Sequence, residues 1–77
     1  FSDDKQRVTK QIVKSNCMTV DQLVDLLNEF SFDDAKLETA KFAYDYIYDV
    51  ENYFKVFDIF SFSSSGEELE QYINNRN

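Results

Sequence analysis

The apolar positions of this chain recur with the spacing of helices, and one stretch of the pattern occurs twice. Residues 20–32 read VDQLVDLLNEFSF and residues 50–62 read VENYFKVFDIFSF, so the two stretches lie 30 residues apart. Both carry apolar residues at matched positions, and both end in Phe-Ser-Phe. A fixed internal period of about 20 to 50 residues is typical of stacked supersecondary units. The sequence therefore predicts two tandem helix-turn-helix repeats, at about residues 20–49 and 50–77.

The same spacing predicts an all-α fold class. We expect five helices, at about residues 3–15, 20–30, 34–48, 50–60 and 66–74. Since short turns make neighbouring helices antiparallel, the expected fold is a small array of about five short antiparallel helices, in which an N-terminal helix precedes the two repeats. The fourth helix is the most apolar and is expected at the centre. In each repeat the Phe after the serine, Phe32 or Phe62, is expected to tuck under its own turn.

The predicted helix starts carry residues that suit N-caps. Two pairs have the spacing of a capping box, in which two side chains satisfy two backbone N–H groups reciprocally: Thr19 with Gln22, and Ser65 with Glu68. The single side chains that can cap are Ser31 or Asp33 for the third helix and Asp49 for the fourth.

Composition fits one small helical domain. The chain has 77 residues, and 43% of them are hydrophobic, which is enough for a small core. One Gly and no Pro suit helices joined by short polar turns. We expect a single domain over residues 1–77. Because the chain begins with Phe1 rather than Met, we expect it to be a fragment of a longer protein.

The charge of the chain argues against two classes of partner. Residues 1–17 carry four bases and two acids, while residues 18–77 carry a net charge of −9, which leaves −7 for the whole chain. Such a surface repels phosphate backbones and anionic lipid heads, so nucleic acid is not an expected partner. No stretch approaches the roughly 18 apolar residues of a membrane span, so direct membrane insertion is not expected either. The lone Cys17 cannot form an internal disulfide and is expected to be a small buried hydrophobe.

Dedicated catalytic chemistry is not visible in the sequence. The chain has no His, and its single Gly excludes a Gly-rich phosphate loop, so we expect neither an enzyme nor a cofactor. The alternative is an acidic domain that binds a divalent metal or uses carboxylates as acid and base, centred on Asp45, Asp49 and Glu51. The spacing does not match an EF-hand loop. A solvated acidic face, with Asp49 as a helix cap, is favoured over a metal site.

Aromatic residues give the leading hypothesis for function. Phe42 and Tyr46 lie one helical turn apart, on nearly the opposite side from the third helix's apolar stripe, and Asp45 and Asp49 flank them. Interfaces favour such amphipathic aromatics with a polar rim. The sequence therefore predicts a non-catalytic protein–protein interaction module, with another protein or another domain of the same chain as partner. The alternative is that residues 1–17, or a segment outside this chain, cover the two rings.

Five short segments resemble a known family. They are TVDQL at residues 19–23, FSFDDAKL at 30–37, AKFAY at 40–44, DVENY at 49–53 and FSFSSS at 60–65. In these segments the chain resembles domain-of-unknown-function family 4476, found in bacterial and animal proteins, and the likeness covers about residues 19–73. The resemblance implies a small α-helical repeat domain and assigns no catalytic or binding residue. Since bacterial members often look exported or lipid-anchored, it also implies an extracytoplasmic location.

Overall fold

The computed structural model describes residues 2–76, with side chains from residue 4 onwards. These residues form four α-helices and two 3₁₀ helices, in the order α1 Ser2–Ser15, α2 Val20–Leu27, α3 Asp33–Ala43, 3₁₀ helix Tyr44–Tyr46, 3₁₀ helix Val50–Asp58 and α4 Ser63–Arg76. Within the described part of the chain, β pairing is limited to an isolated bridge between Met18 and Ile47. The predicted all-α class is confirmed. No described helix is both long and apolar enough to span a bilayer.

The starts of the helices keep the spacing seen in the sequence. The helices of residues 20–27 and 50–58 begin 30 residues apart, and so do α3 and α4, at Asp33 and Ser63. The helices of residues 20–27 and 50–58 differ in type: the first is an α-helix and the second is a 3₁₀ helix. The prediction of an α-helix over residues 50–60 is therefore wrong in helix type. The prediction of one helix over residues 34–48 is also wrong beyond Ala43. There the chain tightens into a 3₁₀ turn and becomes extended at Ile47, which pairs with Met18.

Helix α3, rather than the helix of residues 50–58, packs against the most neighbours. It contacts α1, α2 and α4, whereas the 3₁₀ helix Val50–Asp58 packs between α2 and α4 and leaves Phe54 59% exposed. The fourth helix was therefore wrongly predicted as the centre. Small side chains explain the position of α3, because they let other helices approach closely; its buried residues include Ala35, Thr39, Ala40 and Ala43.

A buried tyrosine joins the 3₁₀ helix Val50–Asp58 to α3. The Tyr53 hydroxyl donates a hydrogen bond of 2.5 Å to the carbonyl oxygen of Ala40, one of the last four residues of α3. A buried phenol needs a hydrogen-bond partner, and the Ala40 carbonyl supplies it. Tyr44 packs edge-on against the Tyr53 ring at 5.1 Å. Burial raises the pKa of the Tyr53 phenol, which stays protonated as a donor.

The phenylalanines of the two Phe-Ser-Phe turns are arranged in the opposite way to the prediction. Phe30, which precedes the serine, is 4% exposed and belongs to the core, and Phe60 packs against that core. Phe32 and Phe62, which follow the serine, are 70% and 68% exposed. The rings expected to tuck under their turns therefore lie in solvent.

One of the two predicted capping boxes forms, and the predicted single-residue caps make no capping bond. The Thr19 hydroxyl accepts from the Gln22 N–H at 3.3 Å and the Gln22 side chain accepts from the Thr19 N–H at 3.0 Å, which completes the predicted capping box of α2. Ser65 lies inside α4, which begins at Ser63, so no box forms with Glu68. Neither Ser31 nor Asp33 caps α3, because its N-cap is Phe32. Asp49 holds the predicted N-cap position of the next helix, but its carboxylate accepts from the Asn52 side chain and from the N–H of Val20 rather than from a backbone N–H of that helix.

Asp33 and Asp49 each accept hydrogen bonds from residues far away in the sequence. Asp33, in the first turn of α3, accepts from the backbone N–H groups of Ser61 and Phe62 at 2.9 and 3.0 Å and from the Ser65 hydroxyl at 2.9 Å. Asp49 accepts from the N–H of Val20, the first residue of α2, at 2.8 Å. Donors aimed at a carboxylate favour its charged form, so these bonds hold the pKa of both groups below the ordinary value of 3.8; the strongest contribution comes from Ser61 for Asp33 and from the Asn52 amide for Asp49.

We expect Gly66→Ala to destabilise the domain although it places a better helix former in α4. Gly66 is buried, and a Cβ there would lie 2.7 Å from the backbone carbonyl oxygen of Phe57. The clash should cost about 1–3 kcal/mol, which exceeds the gain of about 1 kcal/mol in helix propensity. Urea unfolding measures the difference. Gln71→Ala, at an exposed site in the same helix, should change stability by less than about 0.5 kcal/mol, and a Gly66→Ala domain as stable as the parent would contradict the close approach.

We expect the Asp33 bonds to make stability depend on acid pH. A carboxyl whose pKa is lower in the folded state stabilises fully above its unfolded pKa and loses that contribution as pH falls through its folded pKa. Asp33→Asn should lower the Tm at about pH 7 and should lose less Tm than the parent between about pH 5 and pH 2. Thermal melts followed by circular dichroism test this. Asp34→Asn, at the exposed neighbouring position, is the control, and equal acid sensitivity of parent and Asp33→Asn would refute the assignment.

Candidate functional site

The two predicted anchor residues lie against each other at the surface. Phe42, near the end of α3, stacks on Tyr46, in the following 3₁₀ turn, with ring centroids 5.2 Å apart and planes 30° apart. Tyr46 is 37% exposed and Phe42 is partly buried. The Lys10 ammonium of α1 lies 5.5 Å from the centre of the Phe42 ring. The N-terminal helix thus shields part of Phe42 and leaves Tyr46 accessible.

The predicted acidic rim is largely occupied by internal partners. Asp45 forms an ion pair with Arg76 at the end of α4, and this hydrogen bond raises the pKa of the Arg76 guanidinium. Asp49 accepts from Asn52 at 3.0 Å as well as from the N–H of Val20. Both carboxylates therefore have partners within the domain, and the Asp45 side chain remains 46% exposed in its ion pair.

The acidic alternative has no gathered ligand set in the described part of the chain. Asp45, Asp49 and Glu51 are close in sequence, but no group of three or more Asp, Glu, Cys or His side chains among the described residues is placed to hold a metal ion. Asp45 and Asp49 direct their oxygens at the partners just named. Glu51 is exposed in the first turn of the 3₁₀ helix Val50–Asp58.

Sequence reasoning missed the concave surface of the domain. A groove of about 400 Å³ between α1 and α2 is lined by apolar residues that include Val8, Leu26 and Phe30. A second groove of about 460 Å³ shares Ile12 and Leu26 with it and reaches Cys17. Cys17 is exposed, so the prediction of a buried thiol is wrong. The apolar residues Val8 and Ile12 of α1 are a sign of this opening, because they stay 51% and 38% exposed instead of being buried in the core.

Sequence reasoning also missed the most exposed rings. Phe32, Tyr48 and Phe62 are each more exposed than either predicted anchor, at 70%, 75% and 68%. The pattern offered one signal for two of them, since Phe32 and Phe62 precede α3 and α4 at positions where polar capping residues are preferred. An apolar residue at such a position indicates a use other than capping.

Comparison with known proteins gives a family and no activity. No curated protein and no solved structure matches this chain. A family model with the description "Domain of unknown function (DUF4476)" matches residues 1–73 of the 77. This match includes α1, although the five segments that resemble the family begin only at residue 19. It extends almost to the end of α4. With nearly its whole length matched, the chain belongs to the family Domain of unknown function (DUF4476).

Proposed function

We propose that this chain is a non-catalytic domain that binds another protein. The observation that carries the proposal is the surface stack of Phe42 on Tyr46. Aromatic side chains are enriched among residues that dominate binding energy at interfaces. Because each ring already restricts the other, a partner that binds them loses little side-chain freedom in doing so. The stacked Phe42 and Tyr46 rings therefore form an apolar surface that is already ordered before a partner binds.

The charge of the domain indicates a basic partner. The whole chain carries −7, and Asp45 places an exposed carboxylate next to Tyr46. Complementary charge chiefly speeds association and rejects partners of like sign, whereas apolar anchors supply affinity. Lys10 lies over Phe42, so a basic partner group would compete with it for the same ring. We infer that Tyr46 makes the larger contact and that Phe42 supports it.

Replacing both rings should remove binding while the domain stays folded. Peptides selected on the parent domain from a random library should bind Phe42→Ala/Tyr46→Ala at least about tenfold more weakly, since a central interface ring contributes more than about 1.4 kcal/mol. Fluorescence anisotropy measures the affinities. Phe54→Ala removes a 59% exposed ring elsewhere and should bind like the parent. Unchanged binding by the double variant would contradict the proposal, and so would loss of its cooperative melt, because the rings would then be core.

The acidic alternative is tested by a melt with and without millimolar Ca²⁺. A ligand that binds only the folded state must raise its stability, by about 2.7 kcal/mol at a hundred times its dissociation constant. We expect no rise in Tm, because Asp45 and Asp49 are engaged with Arg76 and with the start of α2. A clear rise that Asp45→Asn abolishes would favour the metal-binding alternative over this proposal.

A further inference from the structure

Two phenylalanines from equivalent turns are exposed at one junction of the molecule. Phe32 precedes α3 and Phe62 precedes α4, 30 residues later, and their side chains are 70% and 68% exposed. Neither ring belongs to the buried core or to the partly buried residues packed against it. Folding therefore does not account for the presence of a large apolar side chain at either position.

The backbone at these positions favours a different residue. Phe32 is the N-cap of α3, with φ −123° and ψ 146°, and its side chain makes no capping bond. Ser, Thr, Asp and Asn are strongly preferred there, because their oxygens satisfy a free N–H at the start of the helix. A residue that breaks a local rule without a structural gain is the kind expected at a functional site.

Asp33 fixes the two turns against each other. Its carboxylate follows Phe32 directly in the chain and accepts from the N–H of Phe62 itself at 3.0 Å, as well as from Ser61 and Ser65. The Lys36 ammonium, one turn further along α3, donates to the carbonyl oxygen of Ile59 at 3.2 Å. The backbones that carry the two rings are thus joined through one side chain and held by several bonds.

The surroundings of the rings are acidic. Residues 28–34 and 58–67 contain five acids and no base, and the exposed ones are Glu29, Asp34, Asp58 and Glu67. Two lysines from other segments reach these turns: Lys36 is buried, and Lys5 donates to the backbone carbonyl of Glu29 at 3.3 Å. The apolar rings therefore lie in a field that attracts basic groups.

A second copy of the chain does not suit this surface. Rings of about 200 Å² exposed by about 70% offer together roughly 280 Å², against the ~800 Å² that each partner of a stable complex usually buries. Two copies that each carry −7 also repel one another. The area and the charge both favour a short segment with its own positive charge.

We propose that Phe32 and Phe62 form a docking site for a short segment of another protein in which apolar side chains alternate with lysine or arginine. The apolar side chains contact the two rings, and the basic groups lie against Asp34, Asp58 and Glu67. The site is separate from the Phe42–Tyr46 stack, so either surface can fail its test while the other passes.

The test uses a labelled peptide in which leucine alternates with lysine. A leucine–glutamate peptide shows whether apolar contact suffices without positive charge, and a lysine–serine peptide shows whether positive charge suffices without apolar contact. Affinities are measured by anisotropy for the parent, Phe32→Ser/Phe62→Ser, Phe54→Ser and Phe42→Ala/Tyr46→Ala. We expect the leucine–lysine peptide to bind Phe32→Ser/Phe62→Ser at least about tenfold more weakly than the parent, and to bind Phe54→Ser like the parent. The two probe peptides should bind all four proteins weakly.

Thermal melts of the same variants keep the result interpretable. Serine can cap α3 where Phe32 cannot, so Phe32→Ser/Phe62→Ser should melt at or above the temperature of the parent. A lower Tm would show that the rings stabilise the fold and would overturn the proposal. Equal peptide binding by that variant and the parent would overturn it as well. Loss confined to Phe42→Ala/Tyr46→Ala would also overturn it, and would support the surface under Proposed function instead.

Discussion

Two aspartates that bond across the chain hold this domain in one arrangement. Asp33, in the first turn of α3, accepts from the N–H groups that lead into α4, and Asp49, just before the 3₁₀ helix Val50–Asp58, accepts from the N–H at the start of α2. Helix starts leave N–H groups without partners in the helix, and a carboxylate there bonds and also opposes the helix dipole. Asp33 therefore supplies acceptors at the start of α4, and Asp49 supplies one at the start of α2.

These bonds explain which parts of the fold the sequence could predict. The capping box of Thr19 and Gln22 is local, since both partners lie within one turn, and the sequence alone located it. Asp33 and Asp49 are equally suited by residue type to cap their own helices, but Asp33 accepts from donors 28 to 32 residues away, and Asp49 accepts from the N–H of Val20, 29 residues away, as well as from the nearby Asn52 side chain. Residue type shows that a carboxylate can accept from N–H groups at the start of a helix. Which helix supplies those N–H groups depends on how the helices pack.

Close packing also accounts for the departures in helix type and for the single glycine. The apolar pattern of residues 50–58 predicted an α-helix, yet the segment lies between α2 and α4 as a 3₁₀ helix whose tyrosine reaches Ala40. Gly66, where the sequence predicted the last helix to begin, lies inside α4, and its missing side chain lets the backbone of Phe57 approach closely. The 3₁₀ winding of residues 50–58 and the place of Gly66 both depend on contacts with residues distant in the sequence, and the local spacing of apolar residues does not report such contacts. For the candidate site, periodicity placed Phe42 and Tyr46 together but did not anticipate that Phe32 and Phe62 are more exposed.

The acidity of the chain has a consequence for these exposed rings. A domain of 77 residues that leaves several aromatic side chains in water would tend to associate with itself, because apolar patches attract one another. A net charge of −7 opposes that association between copies and at the same time attracts basic partners. The charge and the rings are therefore complementary parts of one surface: the rings supply contact area of low selectivity, and the charge determines which molecules can approach closely enough to use it.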